Sequence, residues 1–212
     1  MDIKEAVKQR YADEACCDDN LSCGGQNVYM VDLKAGQWLL DIGCGRGSDV
    51  LKAAALVGEQ GKAVGVDLSP DMIKAAATTA EQQGVSNVEF YQGDVEALPL
   101  PDSVFDAVIS DCAINHALDK KRAYAEIFRV LKPQGVMVVS DVVALETLPQ
   151  EIKDDPAAWA DCFGGAISEE DYIDAVKTAG FAEIDMLKRR EYIKNGYKMA
   201  SITLKAVKEV IS

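Results

Sequence analysis

The sequence lacks the features that mark membrane, secreted and nucleic-acid-binding proteins. No apolar run approaches the roughly 20 residues that cross a bilayer, and the amino-terminal stretch is charged where a signal peptide has an apolar core. Basic residues are in deficit, since 22 Lys and Arg stand against 35 Asp and Glu for a net charge of -13. A phosphate backbone is normally bound by clustered Lys and Arg. We therefore expect a cytoplasmic protein that binds neither membranes nor nucleic acid.

Histidine is scarce, because His116 is the only one in 212 residues. Zinc sites are marked by a CxxC motif followed by a second CxxC motif or by an HxxxH motif. Neither spacing is present, so a structural zinc site has little support. The six cysteines are expected to be thiols, because the cytosol is kept reducing. Each cysteine is then either a packing residue or a ligand.

What the sequence contains is an alternation of strand and helix patterns. Strands are predicted at 38–42, 63–67, 88–92, 107–110 and 136–140, and helices at 49–57, 72–83, 119–130 and 169–178. Two last runs, 183–187 and 200–207, alternate with period two. The pattern predicts an α/β fold, a Rossmann-like doubly wound, mostly parallel sheet with a terminal antiparallel strand pair, in a single domain over residues 1–212.

A glycine-rich turn follows the first predicted strand, in the segment Asp41-Ile42-Gly43-Cys44-Gly45-Arg46-Gly47. Glycines let a backbone turn sharply and approach a ligand closely. The dinucleotide fingerprint GxGxxG would require a glycine at Ser48, so a nicotinamide dehydrogenase is disfavoured. The plain alternative is an ordinary turn between a strand and a helix.

Acidic residues stand at the ends of the next two strands. Asp67 closes the second strand, where a carboxylate can accept hydrogen bonds from both hydroxyls of a ribose. Asp94 and Val95 follow the third strand, and there an acid can accept from an adenine amino group. Each acid alone is equally well explained as solvated. Together with Asp41 beside the glycine turn, they predict an adenosine ligand that lacks phosphates.

The segments DIGCGRG, VGVDLSPDM, GDVEALPLPDSVFDAVIS and RVLKPQG resemble the class I S-adenosylmethionine-dependent methyltransferase family. The resemblance implies methyl transfer with S-adenosyl-L-methionine as the cofactor. It also implies a cofactor site, formed by Asp41, Gly43, Cys44, Gly45, Gly47, Asp67, Leu68, Met72, Asp94, Val95 and Asp111.

The downstream segments ISDCAINHALDKKRAYAEIFRVLKPQG, SDVVALETLPQEIKDD and CFGGAIS resemble the arsenite methyltransferase branch of that family. That resemblance implies that Cys112 and Cys162 are catalytic thiolates that hold trivalent arsenic, with Cys17, or else Cys16 or Cys23, as a third ligand. Soft thiolates suit such a centre. A small metalloid substrate and a thiol reductant are the expected partners, and residues 1–30 are expected to cover the site in part.

Departures from this branch keep other interpretations open. Asp111 and His116 stand where an amide and an apolar residue are expected, and the additional carboxyl-terminal domain common in the branch does not follow Ser212. His116 is either a base near the crevice or structural. The cysteines are ligands or buried small hydrophobes, and packing is the expectation for Cys44.

Two further functions compete with arsenic methylation. The first is methylation of a quinone, phenol or amine, which needs a base such as His116, Tyr11 or Tyr29. The second is a non-catalytic metalloid-binding protein of the same fold.

Overall fold

The computed structural model describes residues 2–14 and 26–209. Seven strands form one sheet: β1 (Trp38–Ile42), β2 (Lys62–Asp67), β3 (Val88–Gln92), β4 (Phe105–Asp111), β5 (Leu131–Ala144), β6 (Ile184–Lys194) and β7 (Tyr197–Val207). Their order is β3-β2-β1-β4-β5-β7-β6. The strands from β1 to β5 pair in parallel, and β7 pairs antiparallel with β5 and β6. The predicted Rossmann-like sheet with a terminal antiparallel pair is confirmed.

Helices connect the strands and cover the sheet. They are α1 (Ile3–Glu14), α2 (Asn27–Met30), α3 (Ser48–Val57), α4 (Pro70–Gln82), α5 (Lys120–Val130), α6 (Gln150–Lys153), α7 (Pro156–Ala160) and α8 (Glu169–Thr178). A short 3-10 turn, Ile114–His116, follows β4. Among the described residues, no helix is both long and apolar enough to span a bilayer.

Side-chain caps fix where the main helices begin. Ser69 accepts a hydrogen bond from the Met72 amide at the start of α4, and Pro70 occupies the first helical position. Ser168 accepts one from the Asp171 amide at the start of α8. Caps of this kind satisfy amides that have no partner within the helix. Both helices form where the sequence predicts helices, at 72–83 and 169–178.

Two boundaries differ from the sequence prediction. Strand β5 begins at Leu131, directly after α5 and ahead of the predicted strand start at 136, so it includes Pro133. The start of β5 is irregular, because its register with β4 shifts between Phe105 and Ala107, and a bulge of this kind tolerates proline. The last hairpin is longer than predicted. Asn195 and Gly196, with φ of 52° and 86°, form the two-residue turn that the Asn-Gly pair favours.

Apolar side chains cover both faces of the sheet. Along β1, Leu40 and Ile42 contact the core that lies beneath α5 and α8, whereas Leu39 packs with Val50 of α3. Leu39 and Leu40 are both 0% exposed, so neighbouring residues of one strand are buried on opposite faces. This double coverage is typical of parallel sheets, and it leaves the carboxyl ends of the strands as the place for a ligand.

Candidate active site

A cavity of about 940 Å³ opens at the carboxyl ends of β1 to β4. Its wall includes the residues that follow each of these strands, together with side chains from α1 and α3. Parallel strands place their carboxyl ends at one edge, so short segments from distant parts of the chain meet here. The volume lies in the range of small-molecule and cofactor sites.

The cavity brings together most of the residues that the sequence predicted. Those that line it are Asp41, Gly43, Cys44, Gly45, Asp67, Leu68, Met72, Asp94, Val95, Asp111 and Cys112. Gly47 and Cys162 are not among the lining residues. Gly47 instead precedes α3 with φ of 80°, and a Cβ there would lie 3.0 Å from Ala76 and Phe90. Its position therefore follows from backbone conformation and packing.

The glycine turn presses directly against the residue that follows Cys112. Gly43 has φ of 73°, and a Cβ added there would lie 2.3 Å from Cβ of Ala113. Gly45 has φ of 50° but faces open space. Only glycine adopts such a backbone at no steric cost. The turn thus joins the end of β1 to the end of β4 through a contact that leaves no room for a side chain.

Carboxylates crowd this part of the cavity. Burial raises the pKa of Asp41 well above its ordinary value, and the charges of Asp49, Asp111 and Asp67 raise it further. Burial also raises the pKa of Asp67, although hydrogen bonds from backbone amides oppose the change. Asp49, from the first turn of α3, was not among the predicted residues. A pocket of this charge favours a cationic ligand.

Asp67 and Asp94 already hold protein donors. Asp67 accepts from the amides of Gly45 at 2.9 Å and Ser69 at 2.8 Å. Lys4 of α1 lies 2.5 Å from Asp94 and 3.4 Å from Glu96. Asp67 is therefore part of the glycine turn itself, and Asp94 ties α1 to the end of β3.

Helix α1 forms one wall of the cavity; the sequence analysis expected residues 1–30 to cover the site in part but predicted no helix there. Lys4, Val7, Lys8 and Tyr11 line the cavity from this helix. Only Val7 is fully buried among the α1 side chains that the structure describes. A helix with so few apolar positions gives little periodic signal.

The loop carrying Cys162 packs beside Cys112. The Cys162 sulfur lies 3.5 Å from the carbonyl oxygen of Cys112, and both residues belong to one apolar cluster. A Cβ at Gly165 would lie 2.0 Å from the backbone oxygen of Asn115, so no side chain fits between this loop and the 3-10 turn. The structure thus places Cys162 beside the loop that presents Cys112 to the cavity.

Both cysteines have left-handed backbones. The φ of Cys112 is 56° and that of Cys162 is 53°, in a region that non-glycine residues seldom adopt. Such residues cost about 1–3 kcal/mol each and cluster at functional sites. The Cys112 amide donates to the Ser140 carbonyl at 2.9 Å, which helps to hold its conformation.

The cysteines differ in oxidation state, which corrects the expectation that all are thiols. Cys112 takes part in a disulfide, whereas Cys44 and Cys162 are free. Cysteines near enough to share one soft ligand are also near enough to be oxidised to a disulfide. Cys44, within the glycine turn, lines the cavity and is buried in the apolar cluster that contains Leu39 and Val50. The candidate third ligands, Cys16, Cys17 and Cys23, lie outside the described residues.

His116 and Tyr11 complete the environment of the Cys162 sulfur. The His116 Nε2 lies 3.3 Å from that sulfur and 3.1 Å from the Tyr11 hydroxyl, which is itself 3.8 Å from the sulfur. Burial lowers the pKa of His116 to about 4, and the charges of Arg10 and Lys120 act in the same direction. Burial raises the pKa of Cys162 to about 11. We call Tyr11, Cys112, His116 and Cys162 the acceptor site.

No cluster of three His, Cys, Asp or Glu side chains in the described part of the chain could hold a metal ion. Comparison with known proteins identifies the family of the chain. A methyltransferase domain family matches residues 33–192. The chain belongs to this family.

The methyltransferase resembles two arsenic-related proteins in particular. The arsenite methyltransferase of Halobacterium salinarum is 34% identical over 174 residues, which cover 82% of this chain and 44% of that protein. The crystal structure of CrArsM, an arsenic(III) S-adenosylmethionine methyltransferase from Chlamydomonas reinhardtii, superposes with a TM-score of 0.79 at 33% identity, covering 96% of this chain and 74% of that one. The resemblance to class I S-adenosylmethionine-dependent methyltransferases, and to their arsenite branch, is confirmed.

A third relative matches a shorter stretch. The ubiquinone/menaquinone biosynthesis C-methyltransferase UbiE of Marinomonas is 38% identical over 113 residues, or 53% of this chain and 45% of that protein. The methyltransferase spans less than half the length of these two curated relatives.

Proposed function

We propose that this methyltransferase transfers a methyl group from S-adenosyl-L-methionine to trivalent arsenic bound to thiols. The observation that carries the proposal is the meeting of Cys112 and Cys162 beside a cavity lined by acids that suit an adenosine cofactor. The similarity to arsenite methyltransferases over most of this chain supports the same substrate.

The lining residues fit S-adenosylmethionine in charge and in shape. Asp41, Asp67 and Asp111 make the region around the glycine turn acidic, which suits a ligand with a sulfonium and an ammonium group. Asp67 and Leu68 would hold the ribose, Asp94 and Val95 would flank the adenine, and Met72 would pack on it. When bound, the cofactor supplies a methyl group that the sulfonium already makes electrophilic.

The chain's own contribution is to hold and orient the acceptor. Thiolates of Cys112 and Cys162 would replace small thiols on arsenic, and arsenic bound through sulfur keeps a lone pair that can accept a methyl group. The Cys162 sulfur is held 3.5 Å from the Cys112 carbonyl oxygen and 3.3 Å from Nε2 of His116. Positioning of this kind supplies much of the rate enhancement when the electrophile is already activated.

A thiol reductant is part of the proposal. The sulfur of Cys112 cannot bind arsenic while it is in a disulfide. Reduction must therefore precede arsenic binding, and an external thiol would serve both as reductant and as the carrier of arsenic.

The test is methyl transfer by reduced protein with labelled S-adenosylmethionine. One sample contains arsenite with excess glutathione, and matched samples contain a quinol, a phenol or an amine in place of arsenite. We expect methylated arsenic and no labelled organic product. Transfer to an organic acceptor alone would refute the proposed substrate and favour the quinone-type alternative. Binding of arsenite without transfer to any acceptor would favour a metalloid-binding protein.

A further inference from the structure

The acceptor site contains a group that arsenic binding by thiolates alone does not explain. His116 is the single histidine of the chain, and its imidazole lies between the Cys162 sulfur and the Tyr11 hydroxyl at 3.3 Å and 3.1 Å. The ring also meets the Tyr11 ring edge to face, with centroids 5.6 Å apart. The imidazole lines the cavity, so it is open to the space in which the acceptor must bind.

A phenol and a thiol can each donate a hydrogen bond to an imidazole nitrogen, and the tautomer of His116 with its proton on Nδ1 leaves Nε2 able to accept from Tyr11 or from Cys162. Nε2 has one lone pair, and it therefore accepts from one neighbour at a time. Nε2 of His116 is thus an acceptor at hydrogen-bonding distance from the Cys162 thiol.

We propose that His116 accepts the proton of the Cys162 thiol as the sulfur bonds to its electrophile, and returns that proton to the departing thiolate. This inference rests on the proposed function, since the electrophile is trivalent arsenic carrying small thiolates. The Cys162 sulfur–arsenic bond forms and one bond from arsenic to a small thiolate breaks. The proton passes from the sulfur to Nε2 and then to the leaving thiolate, which departs as a neutral thiol. No atom changes oxidation state.

The surroundings of the pair set the protonation states from which this step begins, and the 3.3 Å distance between the Cys162 sulfur and Nε2 carries the proposal. Burial keeps the Cys162 thiol protonated, so binding arsenic through this sulfur requires loss of a proton. Arg10 of α1 and Lys120 of α5 are the charged groups that disfavour an imidazolium at His116, so the ring stays neutral and keeps its lone pair. The imidazolium formed by the transfer is a stronger acid than an ordinary histidine, so it passes the proton on to the departing thiolate readily. Arg10 is held by the Ala160 carbonyl and by Asp161 at 3.3 Å, which fixes it near the ring.

The first test measures Cys162 itself, without arsenic. Reduced protein is treated with iodoacetamide, and the modification of Cys162 and Cys44 is followed by peptide mass spectrometry. His116→Leu replaces the imidazole by an apolar side chain of similar bulk. In this variant we expect Cys162 to react at least about tenfold more slowly than in wild type. Cys44 is the matched control, because it lies in a different apolar cluster from Cys162 and its sulfur pairs with the Gly45 carbonyl. Its rate should not change.

The second test measures arsenic capture by stopped-flow fluorescence, with Trp159 as the reporter three residues before Cys162. Arsenite–glutathione complex is mixed with reduced wild type, His116→Leu and His116→Ala. We expect capture to slow at least about tenfold in both variants, while the affinity for S-adenosylmethionine is unchanged. Added imidazole should restore His116→Ala but leave His116→Leu slow, because only the alanine variant has room for the free base.

The outcomes separate this inference from the proposed function. Slow alkylation and capture with rescue by imidazole support the proton transfer. Wild-type rates at Cys162 in a folded His116→Leu protein overturn it, and so does slow capture in His116→Ala that imidazole fails to restore. If wild type binds no arsenic, the proposed substrate is wrong, and the alkylation rates still decide whether His116 takes the Cys162 proton.

Discussion

The two halves of the cavity differ in how their residues are distributed along the chain. The cofactor half is built from segments that directly follow β1, β2 and β3, within residues 41–95. The acceptor site consists of Tyr11, Cys112, His116 and Cys162. Tyr11 lies 105 positions from His116 in the sequence and 151 positions from Cys162, yet it contacts both. The comparison teaches that a short motif can specify half of an active site, whereas the other half exists only after folding.

The halves also differ in what holds them. Glycines and carboxylates that accept from backbone amides fix the cofactor half. Apolar packing, two left-handed cysteines and a buried imidazole fix the acceptor half. The halves meet where Gly43 contacts Ala113. Changes confined to one half should therefore leave the other intact, except at this contact.

Oxidation should produce the largest difference in ligand binding between the two halves. In protein that retains the Cys112 disulfide, we expect arsenic binding to be lost, because this sulfur is unavailable. Binding of S-adenosylmethionine should persist, since the carboxylates and glycines of the cofactor half do not change. Calorimetric titrations of oxidised and reduced samples with each ligand check this. Equal arsenic affinity in both samples would remove Cys112 from the site.

Asp67→Asn should have the opposite effect, because it should weaken cofactor binding and leave arsenic capture unchanged. The amide keeps the shape of the side chain but loses the charge and one accepting oxygen, and each charge-assisted hydrogen bond contributes about 1.5–3 kcal/mol. We expect affinity for S-adenosylmethionine to fall about tenfold to hundredfold, with arsenic capture unchanged. Asp71→Asn, at an exposed acid in the first turn of α4, is the matched control and should bind the cofactor like wild type. Equal affinities in the two variants would exclude Asp67 from ribose binding.

Gly43→Ala should disturb both halves at once. An alanine there must adopt a left-handed φ and displace Ala113, and the strain alone costs about 1–3 kcal/mol. Gly84→Ala is the control, because its φ is 67° but nothing lies within 4 Å of the added Cβ. We expect Gly43→Ala to lower the free energy of unfolding, measured by urea denaturation, by at least about 1 kcal/mol more than Gly84→Ala. Equal losses of unfolding free energy in the two variants would show that displacing Ala113 has no energetic cost.

The acceptor half should also give the free energy of unfolding a pH dependence. Because the pKa of His116 falls to about 4 on folding, the unfolded chain binds more protons between pH 4 and the ordinary value near 6.5. The contribution of His116 is complete above about pH 6.5 and is lost as the pH falls through this window, by at most about 1.4 kcal/mol per unit.

Comparison with His116→Gln isolates this contribution, because every other titrating group is common to both proteins. Unfolding of the two proteins by urea from pH 4 to 8 measures the difference. Parallel curves would show that burial does not shift the histidine.

The sequence was sufficient for the sheet and for naming most of the residues that line the cavity beyond β1, β2 and β3, because these signals are local. Apolar runs, caps at Ser69 and Ser168, and acids at strand ends each depend on a few neighbouring residues. Helix α1 was missed because its side chains are mostly polar, and the Asn195-Gly196 turn was missed although that pair is a known hairpin signal. The contact between His116 and Cys162 has no local signal, since it depends on how two loops pack.

The measurement that tests the central claim most directly is methyl transfer by the double variant Cys112→Ser and Cys162→Ser. Serine keeps the shape of both side chains but binds a soft centre poorly. With labelled S-adenosylmethionine and arsenite under excess glutathione, we predict methylated arsenic from wild type and none from the double variant, at equal cofactor affinity in the same preparations. Arsenic methylation by the double variant at the wild-type rate would contradict the account.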